Sequence, residues 1–82
     1  EDRAMKATMT AKFEVFNDTT KEKVAKGEFT IEYDTDWWKE AAHDMATEKC
    51  HQLAELFWKG EPTWCMVTCE DGWTTDYVND EN

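Results

Sequence analysis

Residues 36–60, DWWKEAAHDMATEKCHQLAELFWKG, decide the fold because they form the one long stretch of this chain that suits a helix. Between its ends the stretch has no Gly or Pro, and it is rich in Ala, Glu, Lys and Met, which are strong helix formers. Asp36 offers an N-cap, and Gly60 followed by Pro62 stops the helix. We therefore predict a helix from about Asp36 to Lys59.

At about 100° per residue, this helix has an apolar face and an acidic face. The apolar face is predicted to pack on a sheet and comprises Trp38, Ala42, Met45, Ala46, Cys50, Leu53, Leu56 and Phe57, with Lys49 intruding. The opposite face comprises Glu40, Asp44, Thr47, Glu48, His51 and Glu55.

Before the helix, strict alternation of apolar and polar residues predicts a hairpin. Residues 5–16 form the first strand, and a polar turn over residues 17–23 leads to a second strand that contains residues 28–33. The predicted inward side chains are Met5, Ala7, Met9, Ala11, Phe13 and Val15 on one strand and Phe29, Ile31 and Tyr33 on the other.

After the helix, β-branched and aromatic residues predict two further strands, over residues 63–70 and 73–78. Asp71-Gly72 between them fits a two-residue type I′ turn. That turn places Glu70 opposite Trp73, Thr68 opposite Thr75, and Met66 opposite Tyr77. The inward face stays open, because Trp64/Met66 and Cys65/Val67 are both apolar.

The order β-β-α-β-β predicts an α+β two-layer sandwich: a four-stranded, mainly antiparallel sheet with one long helix across a face. In element order this layout resembles the immunoglobulin-binding domain of streptococcal protein G, and the resemblance implies no function. Residues 1–4 read as a tag remnant, residues 5–78 as a single domain, and residues 79–82 as a polar tail.

Charge is distributed unevenly along the chain. Residues 1–26 carry six Lys/Arg and five Asp/Glu, whereas residues 27–82 carry three Lys and fourteen Asp/Glu and contain all five Trp. With a net charge of −10, direct binding to nucleic acid or to an anionic membrane is not expected, since each phosphate contact needs a Lys or Arg. Steered association with a basic protein is expected instead, although acidity also serves solubility alone.

The candidate interface is the acidic face of the helix, where Glu40, Asp44 and Glu48 follow one another at four-residue steps of ~6 Å. Glu55 lies two turns further on, and Trp37 and Trp58 bracket the face. Such a row has the spacing of successive phosphates, and exposed Trp rings suit a binding hot spot. The alternatives are a solvated acidic face and Trp rings that fold back onto the core. If the helix face is not the interface, the second hairpin is the next candidate, around Trp64, Trp73 and Asp76.

Cysteine and histidine offer no catalytic or metal site, and neither an enzyme nor a cofactor is predicted. Cys65 and Cys69 are ~13 Å apart on one strand, too far to bridge, so we predict reduced, buried thiols together with Cys50. His43 and His51 are ~12 Å apart along the helix, too far for one metal ion, and are predicted to be surface residues paired with carboxylates.

In size, acidity and Trp content the chain resembles small acidic phage-encoded inhibitors of host defence, including anti-CRISPR proteins, some of which mimic DNA. The resemblance implies a basic, nucleic-acid-handling partner, location in the host cytoplasm, and a monomer or small homo-oligomer. Two alternatives remain: an immunity or antitoxin protein that caps a basic nuclease, and a structural module that oligomerises through its sheet edge.

Overall fold

The computed structural model of this chain describes residues 6–35 and 38–80. Its elements are β1 (Lys6–Asn17), β2 (Lys23–Asp34), α1 (Trp38–Leu56), β3 (Thr63–Cys69) and β4 (Thr74–Asn79). The predicted α+β class, the order β-β-α-β-β and the single four-stranded sheet are therefore confirmed. The predictions for residues 1–5, the N-cap at Asp36, Trp37 and the inward side chain of Trp38 lie outside what the structure describes.

The strands lie in the order β2-β1-β3-β4, and every neighbouring pair is antiparallel. Residues 11–17 of β1 pair with β3, so the two hairpins join through their first strands. Because β2 and β3 both run opposite to β1, they are parallel to each other, and α1 is the crossover between them. The helix covers one face of the sheet and leaves the other open.

The first hairpin follows the predicted alternation. Met9, Ala11 and Val15 are at most 3% exposed, and Ile31 is 4% exposed on the neighbouring strand. Gly27 lies opposite Phe13, and a Cβ atom there would come within 2.9 Å of the Phe13 ring. The missing side chain at residue 27 therefore leaves room for an aromatic ring on the helix-covered face.

The second hairpin differs from the predicted register by one residue. The amide of Gly72 donates to the Cys69 carbonyl and the amide of Cys69 donates to the Trp73 carbonyl, which encloses a three-residue loop. Only Gly72 of that loop has a positive φ, +94°, whereas a type I′ turn needs two such residues. The loop is thus a type I turn closed by a left-handed glycine, and Thr68 pairs with Thr74 instead of Thr75.

This register fixes which side chains meet the helix. Cys65, Val67 and Cys69 are at most 2% exposed, whereas Trp64 and Met66 lie on the open face. Residues directly opposite each other share a face of the sheet, so the shift by one residue also changes the partners on β4. Cys65 is opposite Tyr77, and Met66 is opposite Asp76 rather than Tyr77.

The helix packs on the sheet through small side chains, but its face was predicted only in part. Four residues at steps of four are fully buried: Ala42, Ala46, Cys50 and Ala54. Met45 and Leu56, predicted to be inward, are 46% and 72% exposed, so that part of the prediction is wrong. The physical reason is that α1 is turned toward β4, where two helix histidines stack on Trp73, just before that strand, and on Tyr77, within it.

The helix also ends earlier than predicted, at Leu56 rather than Lys59. The amide of Trp58 donates to the Glu55 carbonyl at 3.2 Å, an i→i−3 bond that tightens and closes the last turn. Gly60 then takes a φ of +91° and redirects the chain toward β3. At the other end of the domain, β4 includes Asn79, which is 4% exposed, and the strand so extends one residue into the predicted tail.

The three thiols are free and buried, as predicted. The Cys50 thiol donates to the Cys65 carbonyl at 3.1 Å, which ties α1 to β3. The neighbouring Cys50 thiol, together with burial, raises the pKa of the Cys65 thiol. Burial also raises the pKa of the Cys69 thiol, with the nearby Asp71 and Glu70 carboxylates adding to the effect. High pKa values and burial make Cys65 and Cys69 poor nucleophiles.

Candidate acidic interface on the helix

The outer face of α1 carries the acidic row predicted from the sequence. The four carboxylates of this row are all exposed: Glu40, Asp44, Glu48 and Glu55. One regular helix from Trp38 to Leu56 holds them, so the row follows the helix at a slant to its axis, with ~6 Å of axial rise between successive members four residues apart. The buried stripe of small residues on the other side of α1 fixes the direction in which the row points.

The acidic row has no counter-charges of its own. Within residues 6–35 and 38–80, none of its four side chains has an ion-pair or hydrogen-bond partner. The last turn of α1 has no basic residue, so Glu55 lies near the negative end of the helix dipole. Both features leave the row strongly anionic and slightly unfavourable for the helix.

The two Trp residues predicted to bracket the row have different outcomes. Trp37 lies outside the described residues. Trp58 follows the last helical turn and is half-buried, with its backbone tied to Glu55. Trp58 is thus partly exposed and follows Glu55, the last member of the row, by three residues.

The histidines define a contact that sequence reasoning placed only in part. His43 Nε2 lies 2.8 Å from Asp71 Oδ2, so the predicted pairing with a carboxylate is correct for this residue. Its ring also stacks on Trp73, with centroids 4.2 Å apart and planes at 5°. The side chains of His43 and Asp71 are both under 20% exposed. Their interaction therefore ties α1 to the loop between β3 and β4.

Asp71 is held by two donors. The hydrogen bond with His43 lowers the pKa of the Asp71 carboxyl, and the Trp73 amide, 3.1 Å from Oδ1, lowers it further. The Asp71 side chain therefore stays ionised at pH values below the usual pKa of an Asp carboxyl, and it is already hydrogen-bonded within the chain. Asp71 lies in the loop between β3 and β4 rather than on α1, and its carboxylate already has two partners, so it is not part of the acidic row.

His51 departs from its prediction. Its ring lies on Tyr77 with centroids 3.8 Å apart, and no carboxylate partners it in the described part of the chain. With His43, this stack draws α1 toward β4. The signal that would have found both contacts is the hairpin register taken together with its inward face. With Cys65 and Val67 inward, the three-residue loop puts Trp73 and Tyr77 on the helix side of the sheet, whereas a two-residue turn would put them on the open face.

The second hairpin, the fallback interface, is divided by that register. Trp73 faces the helix, whereas Trp64 and Asp76 lie on the open face, where the Trp64 indole donates to Asp76 at 2.8 Å. The Trp64 ring packs 5.1 Å from the Phe16 ring, and the opposite residue on β4, Val78, is 42% exposed. The open face thus has its own small aromatic patch, separate from the acidic row.

Beside this patch, the open face has a concavity of about 660 Å³ across the first hairpin and β3. It is lined by Lys12, Phe13, Glu14, Lys26, Gly27, Glu28, Met66 and Thr68. Charges of both signs alternate around it, so its electrostatics select neither an anionic nor a cationic ligand.

Two kinds of feature, a metal-binding cluster and a membrane-spanning helix, are absent from the residues that the structure describes. These residues contain no group of three or more His, Cys, Asp or Glu side chains arranged to hold a metal ion. They also contain no helix that is both long enough and apolar enough to cross a membrane.

No protein-family model, no curated protein and no solved structure matches this chain. The function of this chain is therefore inferred from the geometry and electrostatics of the chain's own residues.

Proposed function

We propose that this chain is an anionic binding protein whose helix face occupies a basic, nucleic-acid-binding surface of a partner protein. One observation carries the proposal: four exposed carboxylates form a row along α1 with no partner inside the described chain. Carboxylates kept unpaired at this density favour a cationic partner, because a groove of Lys and Arg side chains would supply the missing counter-charges.

The spacing of the row supports a nucleic-acid-binding surface in particular. Steps of ~6 Å along a helix are on the scale of successive phosphates in a strand, so a Lys/Arg-lined groove that follows phosphates can follow this row. The half-buried Trp58 just past the end of the row then acts as an anchor, since the exposed part of its ring can stack on an Arg.

The biological setting that we propose is a small phage-encoded inhibitor of host defence, of the anti-CRISPR kind, that works in the host cytoplasm. An immunity protein that caps a basic nuclease would use the same row in the same way. The two settings differ in the partner and not in the interface, so the identity of the bound protein separates them.

The test is capture of partners from bacterial lysate by the immobilised chain, compared with two charge variants. Glu40→Lys/Asp44→Lys/Glu48→Lys reverses the row, and Lys is as good a helix former as Glu, so the fold is retained. The control, Glu22→Lys/Glu28→Lys/Asp80→Lys, makes the same change in net charge at exposed sites away from α1.

We expect the parent and the control to retain one basic nucleic-acid-binding protein and to block its binding to nucleic acid, and the row variant to do neither. Association should also slow steeply as salt rises past ~0.15 M, where the Debye length is ~8 Å. Trp58→Ala should mainly raise the off-rate, as loss of an anchor does. If the row variant retains the partner as tightly as the parent, the helix face is not the interface.

A further inference from the structure

The outer edge of β2 is the longest strand edge that the described sheet leaves without a neighbour. Residues 25–34 of this strand pair regularly with β1, and they contain neither a proline nor a bulge. A regular, exposed edge of this length is a template for another strand. We propose that its occupant is a second copy of this chain, paired antiparallel through β2 to give one continuous eight-stranded sheet.

Symmetry limits the possible registers. In a two-fold dimer with the axis perpendicular to the sheet, one residue of β2 lies opposite itself and the others pair symmetrically around it. Near the middle of the regular segment, the residue on the axis is Glu28, Phe29 or Thr30. Charge decides among these three.

Of these three registers, the one centred on Phe29 is the one that pairs opposite charges without opposing like charges. It places Lys26 opposite Glu32 of the second copy, twice by symmetry, and opposes no like charges. A centre at Glu28 would set two Glu28 carboxylates against each other. A centre at Thr30 would oppose Glu28 and Glu32 twice. Like charges directly opposite each other destabilise a strand pair, and opposite charges stabilise it.

The side chains that this register pairs are available. Lys26 and Glu32 are exposed, and within the described chain neither has an ion-pair partner. Lys23, by contrast, already pairs with Glu14 at 2.8 Å. The opposite charges on β2 are thus free to pair between copies.

The helix side of the same register brings apolar groups together. Phe29 and Tyr33 are half-buried on the helix side of the sheet, where Lys49 of α1 lies over the Phe29 ring with Nζ 5.8 Å from its centroid. Pairing sets Phe29 against Phe29 of the second copy, and Tyr33 against Ala25. Covering these rings adds burial of apolar surface to the backbone hydrogen bonds and the charge pairs.

The other sheet edge does not offer the same match. β4 is half as long, six residues against twelve, and its single charged residue is Asp76. Self-pairing there forms no pair of opposite charges. The β2 edge is therefore the self-complementary one.

The dimer has a geometric consequence. Because the two-fold axis is perpendicular to the sheet, both α1 helices lie on the same face, and both acidic rows point to the same side. The dimer does not depend on the proposed function, and its test needs no other partner.

The first test measures the association state by sedimentation across a range of protein concentrations. We expect a dimer for the parent. Lys26→Glu should weaken it by about tenfold or more, because both attractive pairs become repulsive pairs. The double variant Lys26→Glu/Glu32→Lys should restore it. The control is Lys59→Glu, an equal change of charge at an exposed site in the loop before β3, and it should leave the dimer intact. A parent that stays monomeric, or a double variant no stronger than Lys26→Glu, overturns the proposal.

The second test reads the register through two exposed positions. In the proposed register, Glu28 lies opposite Thr30 of the second copy, at a Cα separation of about 4.5–5.5 Å that a disulfide can span. Oxidation of a mixture of Glu28→Cys and Thr30→Cys chains should therefore give a cross-linked heterodimer. Neither variant alone should cross-link to itself. Self-linking of Glu28→Cys or of Thr30→Cys alone would show a different register and overturn this one.

Discussion

The acidic row should make the fold less stable than it need be, and this can be measured without a partner. Asp44 and Glu48 are exposed like charges four residues apart, and Glu55 lies near the negative end of the dipole of a helix with no basic residue in its last turn. Glu48→Lys/Glu55→Lys replaces one repulsion with an attractive pair in the favoured acid-before-base orientation. It also places a cation near the helix C-terminus.

The expected gain follows from these pieces. Removing the Asp44–Glu48 repulsion and adding the new attraction contribute about 0.2–0.5 kcal/mol each, and the change of sign at residue 55 contributes about 0.3–1 kcal/mol. The sum is about 0.7–2 kcal/mol of added unfolding free energy. For a domain of this size, each kcal/mol raises Tm by roughly 4–8 °C.

Thermal and urea unfolding at low salt measure the gain. The neutral control, Glu48→Gln/Glu55→Gln, removes the unfavourable terms without adding the favourable ones, so it should give about half the effect. Added salt should shrink both gains by screening. If Glu48→Lys/Glu55→Lys is no more stable than the parent at low salt, the row is not electrostatically strained, and the reasoning that it is kept for binding loses its physical basis.

Three further outcomes are expected. Gly72→Val should destabilise the fold by on the order of 1 kcal/mol or more in urea unfolding, because φ is +94° there, whereas Gly72→Asn, which tolerates a positive φ, should lose less; equal Tm values for both variants and the parent would contradict this. The pKa of the Asp71 carboxyl is lowered in the folded protein, so its charged form stabilises the fold above the usual carboxyl value of 3.8, and this contribution is lost as the pH falls through the lowered pKa. Asp71→Asn should therefore be less stable than the parent above pH 3.8, and the difference should disappear at lower pH. A pH-independent difference would show that the His43 hydrogen bond is not its source. Thiol titration should find no reactive thiol in the folded protein and three after denaturation, and a thiol that reacts at once in the native state would argue against burial.

The elements were predictable because each has a strong local pattern. Alternation in residues 5–16 identified β1 and its inward face, and the helix-forming composition between residues 36 and 60 identified α1. These patterns depend on neighbouring residues alone, through the periods of two and 3.6 that strands and helices impose.

The register of the second hairpin was not predictable from Asp71-Gly72. The same dipeptide serves a two-residue type I′ turn and a three-residue loop that ends in a left-handed glycine, and the two differ by one residue in register. The choice depends on what the shift buries. In the observed register, Cys65 and Val67 share the helix-covered face with Tyr77 of β4. That is tertiary information, which the turn residues do not contain.

One misjudged residue at the turn accounts for the misjudged helix face as well. Trp73, just before β4, and Tyr77, within β4, then both lie on the helix side of the sheet. His43 stacks on the first ring and His51 on the second. These stacks turn the helix toward β4. This rotation of the helix brings Ala54 into the core and moves Leu56 out into solvent.

The acidic row survives this rotation because it occupies the centre of the outer face, where a modest turn of the helix leaves every member exposed. On the flank toward β2, Lys49 of α1 lies over the Phe29 ring, which remains half-buried. The position of the helix on the sheet thus bears on both candidate interfaces. It keeps the row exposed, as the proposed function requires, and it leaves Phe29 partly exposed beside the strand edge on which a second copy of the chain is proposed to pair.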